Sequence, residues 1–344
     1  MKSYFIQYMV LSILLFFLSS CDKDQNMDEG SYSSSQFSSE FINSEVWDKG
    51  KAEIAYYLLN RIDTLYQNGQ LHISRHSDTF EISIVKQLYD FTHFKKSMGS
   101  GNNTAEVFSV IQRRIKGPLY SGQSASSSIH LLKKNLMPVK VSIAEYSLEG
   151  NSFNEQRFRS GTIEQVTVGD GAKKYDAQYN LDQNYYSIEQ IPLLVRALDF
   201  SKQSEYSFPI VNISSGESAV TRLFFGDNKF DVTITLMGEE ELVETGGIRY
   251  VNKVKVSYPN DVFPPTKVLG HMIPAEEFYF ISKDQTRQII RIRSRSGQFK
   301  SLQNEVKSSY TLDLLGSSFI DWWNMGENLY LKPFLRKGID GKSN

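Results

Sequence analysis

The chain has 344 residues with 38 Lys and Arg against 39 Asp and Glu, so its formal net charge at pH 7 is −1. This balance argues against nucleic acid as a partner, because nucleic-acid-binding domains present a basic surface to the phosphates. Hydrophobic residues make up 40% and aromatic residues 13% of the chain, which is enough apolar surface for a sizeable core and excludes a wholly disordered protein.

The first 20 residues predict an export signal. Lys2 precedes an apolar run from Tyr8 to Leu18, which suits a signal peptide but is shorter than the roughly 20 apolar residues that cross a bilayer. The run ends in Leu-Ser-Ser-Cys at residues 18–21, and this motif resembles the lipobox of bacterial lipoproteins. We therefore expect a signal peptide at 1–20, cleavage before Cys21, and lipid, palmitate included, on the Cys21 thiol. The alternative is an ordinary secretory peptide that ends near a cysteine.

Cysteine usage favours lipidation, because Cys21 is the single cysteine of the chain. A disulfide within one chain is therefore impossible. Bacterial lipoproteins carry more than one acyl chain, and several chains anchor a protein far more firmly than one. The expected location is the cell envelope, at the outer membrane, with the body facing the periplasm or the cell surface.

Residues 21–40 predict a flexible tether. After Cys21 the segment is acidic and then rich in Ser, with little apolar surface to bury. A coil of about 19 residues reaches on the order of 25 Å, enough to lift a domain clear of lipid headgroups. The acidic stretch from Asp22 to Glu29 resembles the surface-export signal of lipoproteins in the Bacteroidetes. A solvated charged spacer is the alternative.

The body, residues 41–335, is expected to be one mainly β domain, followed by a disordered tail at 336–344. Apolar and polar residues alternate with period two in several runs, as in half-buried strands, and turn signals such as Asn68-Gly69 separate the runs. Clear alternating runs are residues 139–143, 232–236, 254–258 and 290–295. Most connections are too short for the helix that a parallel βαβ unit needs. We therefore predict a large curved antiparallel sheet or an open barrel.

One segment, from Ser187 to Phe200, predicts a helix of about three turns docked on the sheet. Its apolar residues recur at helical spacing, at positions Ile191, Leu194, Val195 and Leu198. Ser187 and Gln190 fit a capping box, and Pro192 falls in the first turn, where a missing N–H is tolerated.

Three patches together resemble exported β-rich lipoproteins of unknown function from the Bacteroidetes. The patches are Trp47 to Ile54, Gln190 to Leu198, and Phe278 to Ile292, the last of which passes through Asp284 and Arg287. In that family a strand turns through an Asp…Arg hairpin into a basic-apolar strand. The resemblance implies a curved antiparallel sheet or open barrel with a helix against it, and it implies no catalytic residues.

Catalytic and metal-binding motifs are absent from the sequence. It contains no Gly-x-Ser-x-Gly elbow, no phosphate-binding loop and no glycine-rich dinucleotide motif after a strand. His72 and His76 lie in a predicted strand without a third ligand, so neither a metal nor another cofactor is predicted. Whether the protein is an enzyme stays open, leaning towards no. The paired carboxylates of a glycan hydrolase come from separate strands and cannot be identified by their spacing.

A row of arginines is one candidate contact for a ligand or partner. Arg291 and Arg293 lie with Arg295 on one face of a predicted strand and could receive a phosphate or a carboxylate. The alternative is a solvated face paired with acids such as Glu239–Glu241.

A cluster of aromatic residues is the other candidate contact. Phe319, Trp322 and Trp323 follow the last clear strand, and exposed rings would stack on sugars or on partner side chains. The alternative is a short helix that folds back, with Phe319 and Trp322 closing the end of the barrel.

The sequence thus favours a membrane-anchored envelope lipoprotein that acts as a non-enzymatic binding or accessory module through a β-barrel-like concavity. The expected partners are the membrane, through lipid on Cys21, and a glycan, a lipid or another envelope protein. Two alternatives stay open, namely a secreted hydrolase acting on glycans and a structural subunit of an envelope assembly.

Overall fold

The structure is a computed structural model. The predicted signal peptide, Cys21, Trp322, Trp323 and the tail at 336–344 lie outside the described residues. The described residues are 34–47, 51–67, 70–101, 103–115, 124–147, 150–169, 174–212, 229–244, 247–259, 265–266, 271–272, 276–295, 297–300 and 304–321.

The helices of the described part are short. Helix α1 spans Ser39–Ile42 and helix α2 spans Ile191–Ala197. Single 3₁₀ turns cover Ser34–Gln36, Glu45–Trp47 and Ile188–Gln190. None of these helices is long and apolar enough to cross a membrane.

Strands make up most of the described residues. In chain order they are β1 Lys51–Gln67, β2 Gln70–Asp90, β3 Lys95–Lys96, β4 Thr104–Ile115, β5 Ser124–Leu132, β6 Pro138–Ser147, β7 Gly150–Arg159, β8 Thr162–Gly169, β9 Lys174–Asn180, β10 Tyr186–Ser187, β11 Glu205–Val211, β12 Lys229–Glu244, β13 Gly247–Ser257, β14 Pro265–Thr266, β15 His271–Met272, β16 Glu276–Ser282, β17 Ile289–Arg295, β18 Gly297–Lys300 and β19 Asn304–Asp321.

One sheet contains 17 of these strands, and β14 pairs with β15 separately. From one edge to the other, the ladders run β9, β8, β7, β6, β5, β4, β2, β1, β19, β17, β16, β13, β12, β11 and β10. Strand β3 pairs with the end of β2, and β18 pairs with β19. All ladders are antiparallel except the short one between β10 and β11. These ladders confirm the predicted antiparallel sheet.

The sheet is curved and open. Among the described residues, no ladder joins the edge strand β9 to the edge strands β10 and β11 at the other side. Edge strand β11 carries Pro209, which has no N–H to offer a further strand. The fold is therefore an open, barrel-like sheet and not a closed barrel.

Helix α2 docks on the concave face of this sheet, and every residue of it except Pro192 is buried. The predicted capping box is present, with Gln190 Oε1 accepting the N–H of Ser187 at 3.0 Å. The helix ends at Ala197 and not at the predicted Phe200. Its length differs from the prediction because Leu198 is extended, with ψ at 143°, and forms an isolated β-bridge with Phe37.

Residues 34–47 cross over α2 and help to cover the concave face. Ser38 N–H donates to the carbonyl of Ala197 at 2.8 Å, and the Phe37 ring stacks on Phe208 with centroids 6.3 Å apart. Residues 34–40 therefore belong to the fold, although the sequence assigned them to the tether. The physical reason is Phe37, whose ring is 3% exposed and gives the segment an apolar anchor.

The three patches that carry the family resemblance meet in space around one buried ion pair. Arg196 Nη2 donates to Glu53 Oε2 at 2.6 Å, and each side chain is 2% exposed. The Arg196 guanidinium lies 5.7 Å from the Trp47 ring centroid. After the turn at Asp284, Arg287 adopts a positive φ of 45° and donates from Nη1 to the carbonyl of Leu198 at 2.6 Å. The Asp…Arg hairpin therefore caps the end of α2.

Candidate functional site

Inward-facing side chains on the concave face change from apolar to polar along the strands. Beside α2, Phe108 of β4 opposes Leu131 of β5, and Phe158 of β7 opposes Ile163 of β8, all nearly inaccessible to solvent. The next row of opposed residues is Ile84, Val110, Ile129, Val141, Gln156 and Gln165. The row after that is Ile82, Gln112, Ser127, Ile143, Asn154 and Thr167.

We name the two ends of this face by their lining. The apolar end is the part covered by α2 and residues 34–47. The polar end lies away from that cover, towards the β1–β2 hairpin. Its polar inward side chains include Arg61, Asp63, Asp78, Gln112, Arg114, Ser127, Asn154, Gln156, Gln165, Thr167, Asn212, Tyr258, Glu277, Tyr279 and Tyr310.

Four charged side chains at the polar end are paired with one another. Arg61 Nε lies 2.9 Å from Asp63 Oδ2. Arg114 donates from Nε and Nη2 to Asp78 Oδ2 at 2.7 and 2.5 Å. The Asp78 and Arg114 side chains are only 6% and 10% exposed. Adding an unpaired charge in such a shielded place would carry a large desolvation cost.

Glu277 is held by three phenol donors. Tyr258 and Tyr279 each donate to Oε2 at 2.8 Å, and Tyr310 donates to Oε1. Burial raises the pKa of Glu277, and the three hydrogen bonds act in the opposite direction. Burial also raises the pKa of each tyrosine well above its ordinary value. A general acid must reach its substrate. Both oxygens of Glu277 are engaged by phenol donors, so the geometry favours a structural carboxylate.

An amide cluster lines the part of the polar end formed by β7, β8 and β9. Gln156 Nε2 donates to Asn154 Oδ1 at 3.0 Å, and Asn154 Nδ2 donates to Thr167 Oγ1 at 3.0 Å. Tyr179 OH donates to Gln165 Oε1 at 2.6 Å. These uncharged groups can both donate and accept hydrogen bonds, which is the chemistry of a site for a polar ligand.

Two polar atoms at the polar end are buried without a partner. Of the residues that the structure describes, Ser127 is 2% and Asn212 is 6% exposed. Ser127 Oγ and Asn212 Nδ2 nevertheless make no hydrogen bond. Such groups are uncommon in native structures, since each costs free energy when it is removed from water.

The two histidines singled out in the sequence lie on the inward side of the β1–β2 hairpin. His72 is exposed, and His76 Nε2 is 3.6 Å from Asp63 Oδ2. Within the ranges given above, no group of three or more His, Cys, Asp and Glu side chains is arranged to hold a metal ion.

The predicted arginine contacts lie on the outer face of the sheet, away from the polar end. Arg291 is paired with Asp313 on β19. Arg293 is exposed, and its guanidinium lies 5.4 Å from the ring centroid of Phe280. The row is a solvent-facing ladder of cations packed on acids and rings, and the structure does not join it to the other predicted contacts.

Phe319 belongs to the last strand and not to a helix. Strand β19 continues to Asp321 along β1, with Phe319 opposite Glu53. The Phe319 ring is 38% exposed, and its centroid lies 6.2 Å from that of Trp47. It therefore lies at the apolar end, while Trp322 and Trp323 fall outside the described residues.

The sequence interpretation missed the polar end. Its side chains come from strands far apart in the chain, and only the register brings them into shared rows. A signal was nevertheless present in β7 and β8. There Asn154 and Gln156, and then Gln165 and Thr167, place polar residues at the alternate positions where half-buried strands usually carry apolar ones.

No family model and no curated protein matches the chain. The solved structures that match the chain include two proteins of low sequence identity. One is a β-barrel-like protein of a domain of unknown function, DUF1849, from Brucella abortus, which is 9% identical, with 79% of this chain and 99% of that chain covered and a TM-score of 0.37. The other is a DUF1329 family protein from Desulfovibrio piger, which is 8% identical, with 81% and 88% covered and a TM-score of 0.20.

Proposed function

We propose that the protein is an envelope lipoprotein, anchored through lipid on Cys21, that binds a polar ligand at the polar end of its concave face. The proposal that the protein binds a ligand rests on one observation: along the same strands, the inward-facing residues change from apolar to polar. A hydrophobic core needs no such change, because apolar side chains would stabilise the sheet and would leave fewer buried polar groups that need hydrogen-bond partners.

The same rows argue for a polar ligand and against an acyl chain. The chain's own α2 and residues 34–47 already cover the apolar end, so apolar inward rows are not left for a lipid tail. At the polar end an acyl chain would face amide and carboxylate groups that it cannot hydrogen-bond. Among the expected partners, the lining therefore favours a glycan or a polar peptide over a lipid.

Binding fits the polar end better than hydrolysis. Glycoside hydrolysis needs two carboxyl groups that can reach the scissile bond. Here Asp63 and Asp78 are each paired with an arginine, and Glu277 is enclosed by tyrosines. The proposal therefore assigns recognition, and no bond-breaking step, to this site.

Ligand binding is tested with the full mature protein, solubilised in detergent. Melting temperature and calorimetry are measured with neutral xylo-, cello- and maltohexaose, with acidic hexagalacturonate, with a hexaglycine peptide, and with palmitate. We expect one of the polar probes to bind and palmitate not to bind. Binding of palmitate alone, or of none of the probes, would contradict the proposal.

A pair of variants places the binding at the polar end. Gln156→Leu should weaken binding of the active probe at least about tenfold, corresponding to about 1.4 kcal/mol. Gln178→Leu is the matched control, because Gln178 is exposed on the neighbouring strand β9. Equal affinities of the two variants would move the binding site away from the polar end.

Anchoring is tested by fractionating cells that express the full chain. Cys21→Ala should release the protein from membranes or stall its processing, because the thiol that receives the lipid is gone. Ser20→Gly is the control, since it places a common lipobox residue beside an intact Cys21. If Cys21→Ala still sediments with membranes after a high-salt wash, lipid on Cys21 is not the anchor.

A further inference from the structure

We propose that Ser127 and Asn212 bind the ligand directly and that the ligand is uncharged and rich in hydroxyl groups, as a neutral glycan is. This inference rests on the proposed function and names the ligand class for the same site. It starts from Ser127 Oγ and Asn212 Nδ2, two of the buried polar atoms that have no partner in the described structure.

Ser127 lies in the middle of a polar row. It faces inward from β5, opposite Gln112 of β4 on one side and Ile143 of β6 on the other. Inward residues further along β5 are Ile129 and Leu131, both fully buried in the core. An alanine or valine would suit this position as a core residue. The hydroxyl has no hydrogen bond, so packing does not account for it.

Asn212 reaches the same region from the other side of the open sheet. It follows Ile210, an inward residue of β11 that is fully buried in the core. The preceding residue, Val211, pairs with Ser187 of β10. The unpartnered atom is Nδ2, which can only donate, so the group that satisfies it must be an acceptor.

The turn at Ile188–Gln190 connects the two groups. Gln112, the neighbour of Ser127 across β4 and β5, donates from Nε2 to the carbonyl of Glu189 at 2.7 Å. Ser187, which pairs with the residue before Asn212, immediately precedes this turn. Ser127 and Asn212 therefore flank the turn from opposite sides, where the cover formed by α2 ends and the polar end begins.

The charges around this position favour an uncharged ligand. Asp78 and Asp63 already pair with Arg114 and Arg61, and Glu277 already accepts three phenol hydrogen bonds. A charged ligand would enter a shielded region where Asp63, Asp78 and Glu277 already have their partners. A hydroxyl group meets the remaining needs, because it can accept from Asn212 Nδ2 and can donate to or accept from Ser127 Oγ.

The decisive test separates a binding role from a structural role by the sign of the stability change. Ser127→Ala removes an unsatisfied buried hydroxyl, so the ligand-free variant should melt at the same temperature as wild type or higher. Its affinity for the neutral hexaose that binds wild type should fall about tenfold or more. Ser128→Ala is the matched control, because Ser128 is the next residue on the same strand and faces outward. The control should leave affinity unchanged.

Asn212→Leu tests the second group independently, by the same measurement of affinity. It keeps the approximate size of the side chain and removes the donor, so affinity for the neutral hexaose should again fall about tenfold. If Ser127→Ala lowers the melting temperature and both variants bind the neutral hexaose like wild type, the two groups are structural and the inference is wrong.

The outcomes distinguish this inference from the proposed function. If hexagalacturonate or the peptide binds and Gln156→Leu weakens that binding, the polar end is a ligand site but the ligand class named here is wrong. If palmitate alone binds, or no probe binds, both fail. If a neutral hexaose binds and both Ser127→Ala and Asn212→Leu weaken it, both stand.

Discussion

At the apolar end of the concave face, α2 and residues 34–47 bury Trp47, Phe41 and Leu194, each at most 1% exposed, and enclose the ion pair of Glu53 and Arg196. At the polar end, on the same strands, amides, phenols and paired charges occupy the equivalent inward positions. Both ends are buried, but burial is reached by packing at one and by hydrogen bonding at the other. Hydrogen bonding, in which each buried polar group needs a partner, is used where α2 does not cover the sheet.

The difference has an energetic consequence. Packing tolerates small imperfections, whereas a buried hydrogen-bonded network is stabilising only if its members are satisfied. At the apolar end Arg196 donates to Glu53 at 2.6 Å and to the Thr286 carbonyl at 2.7 Å and lies 5.7 Å from the Trp47 ring centroid, although its Nε has no hydrogen-bond partner. At the polar end, Ser127 and Asn212 are left over. The two unpartnered groups lower stability, and residues that lower stability in this way are commonly found at binding sites.

The largest expected change in stability comes from removing the buried cation at the apolar end. Arg196→Met leaves Glu53 buried without its cation, and this should lower the free energy of unfolding by about 3–5 kcal/mol. Chemical denaturation of the purified protein measures it. Arg295→Met is the matched control, since its side chain is 75% exposed beside Glu276, and such a surface pair is worth about 0–1 kcal/mol.

A double variant tests whether the charge itself matters at the apolar end. Arg196→Met combined with Glu53→Leu should recover much of the lost stability, because no unpaired charge remains. If the single Arg196→Met variant is as stable as the Arg295→Met control, the ion pair does not hold α2 to the sheet.

Much of the fold could be predicted from the sequence, because it depends on local patterns. Period-two alternation and turn signals predicted the antiparallel sheet, and Ser187, Gln190 and Pro192 predicted where the helical segment begins. The end of α2 could not be predicted, since Leu198 leaves the helix to bridge Phe37, which lies far away in the chain. That choice depends on a tertiary contact and not on local propensity.

The candidate site was harder to predict for the same reason. The sequence pointed to Arg291, Arg293 and Phe319, whose residue types stand out in one stretch of chain. The structure places the two arginines on the outer face and Phe319 at the apolar end. Residues such as Asn154 and Ser127 are ordinary alone and become a site only when the register of several strands aligns them.

A hydrogen-bonded group on the outer face of the sheet contains His130, whose protonation state affects stability. Ser109 Oγ accepts from Gln87 Nε2 at 2.6 Å and lies 2.7 Å from His130 Nδ1, which fits a neutral imidazole accepting the Ser109 O–H. Tyr89 packs on the His130 ring with centroids 4.6 Å apart. Burial, with a smaller effect of Lys140, lowers the pKa of His130 to about 4.

This lowered pKa predicts a loss of stability in acid. The unfolded chain takes up the proton near the ordinary His pKa of about 6.5, and the folded protein resists it until about pH 4. The contribution is therefore fully present above about pH 6.5, and it is lost as pH falls through about pH 4, by at most about 3 kcal/mol.

His130→Asn isolates this effect, because the amide oxygen can replace Nδ1 as acceptor for Ser109 but does not titrate. Denaturation of both proteins between about pH 7 and pH 4 should show wild type losing more stability than the variant. Parallel curves would mean that His130 is protonated as easily in the folded protein as in the unfolded chain.

The smallest expected change in stability comes from removing one hydrogen bond to Glu277 at the polar end. Tyr258→Phe removes one of the three donors to Glu277 and should lower the free energy of unfolding by about 1–2 kcal/mol at neutral pH. Tyr66→Phe is the matched control, since Tyr66 is 48% exposed on the β1–β2 hairpin and its loss should change stability by less than about 0.5 kcal/mol.

The pH dependence of the Tyr258→Phe effect then shows which state of Glu277 the network stabilises. The lost O–H favours the ionised carboxylate, so the pKa of Glu277, already raised by burial, rises further in the variant. Above that pKa the variant loses a hydrogen bond to a charge, and below it only a weaker bond to a neutral carboxyl. The stability difference from wild type should therefore shrink as pH falls. A difference that stays constant with pH would mean that Glu277 keeps one protonation state over the whole range, and the expected titration within it would be wrong.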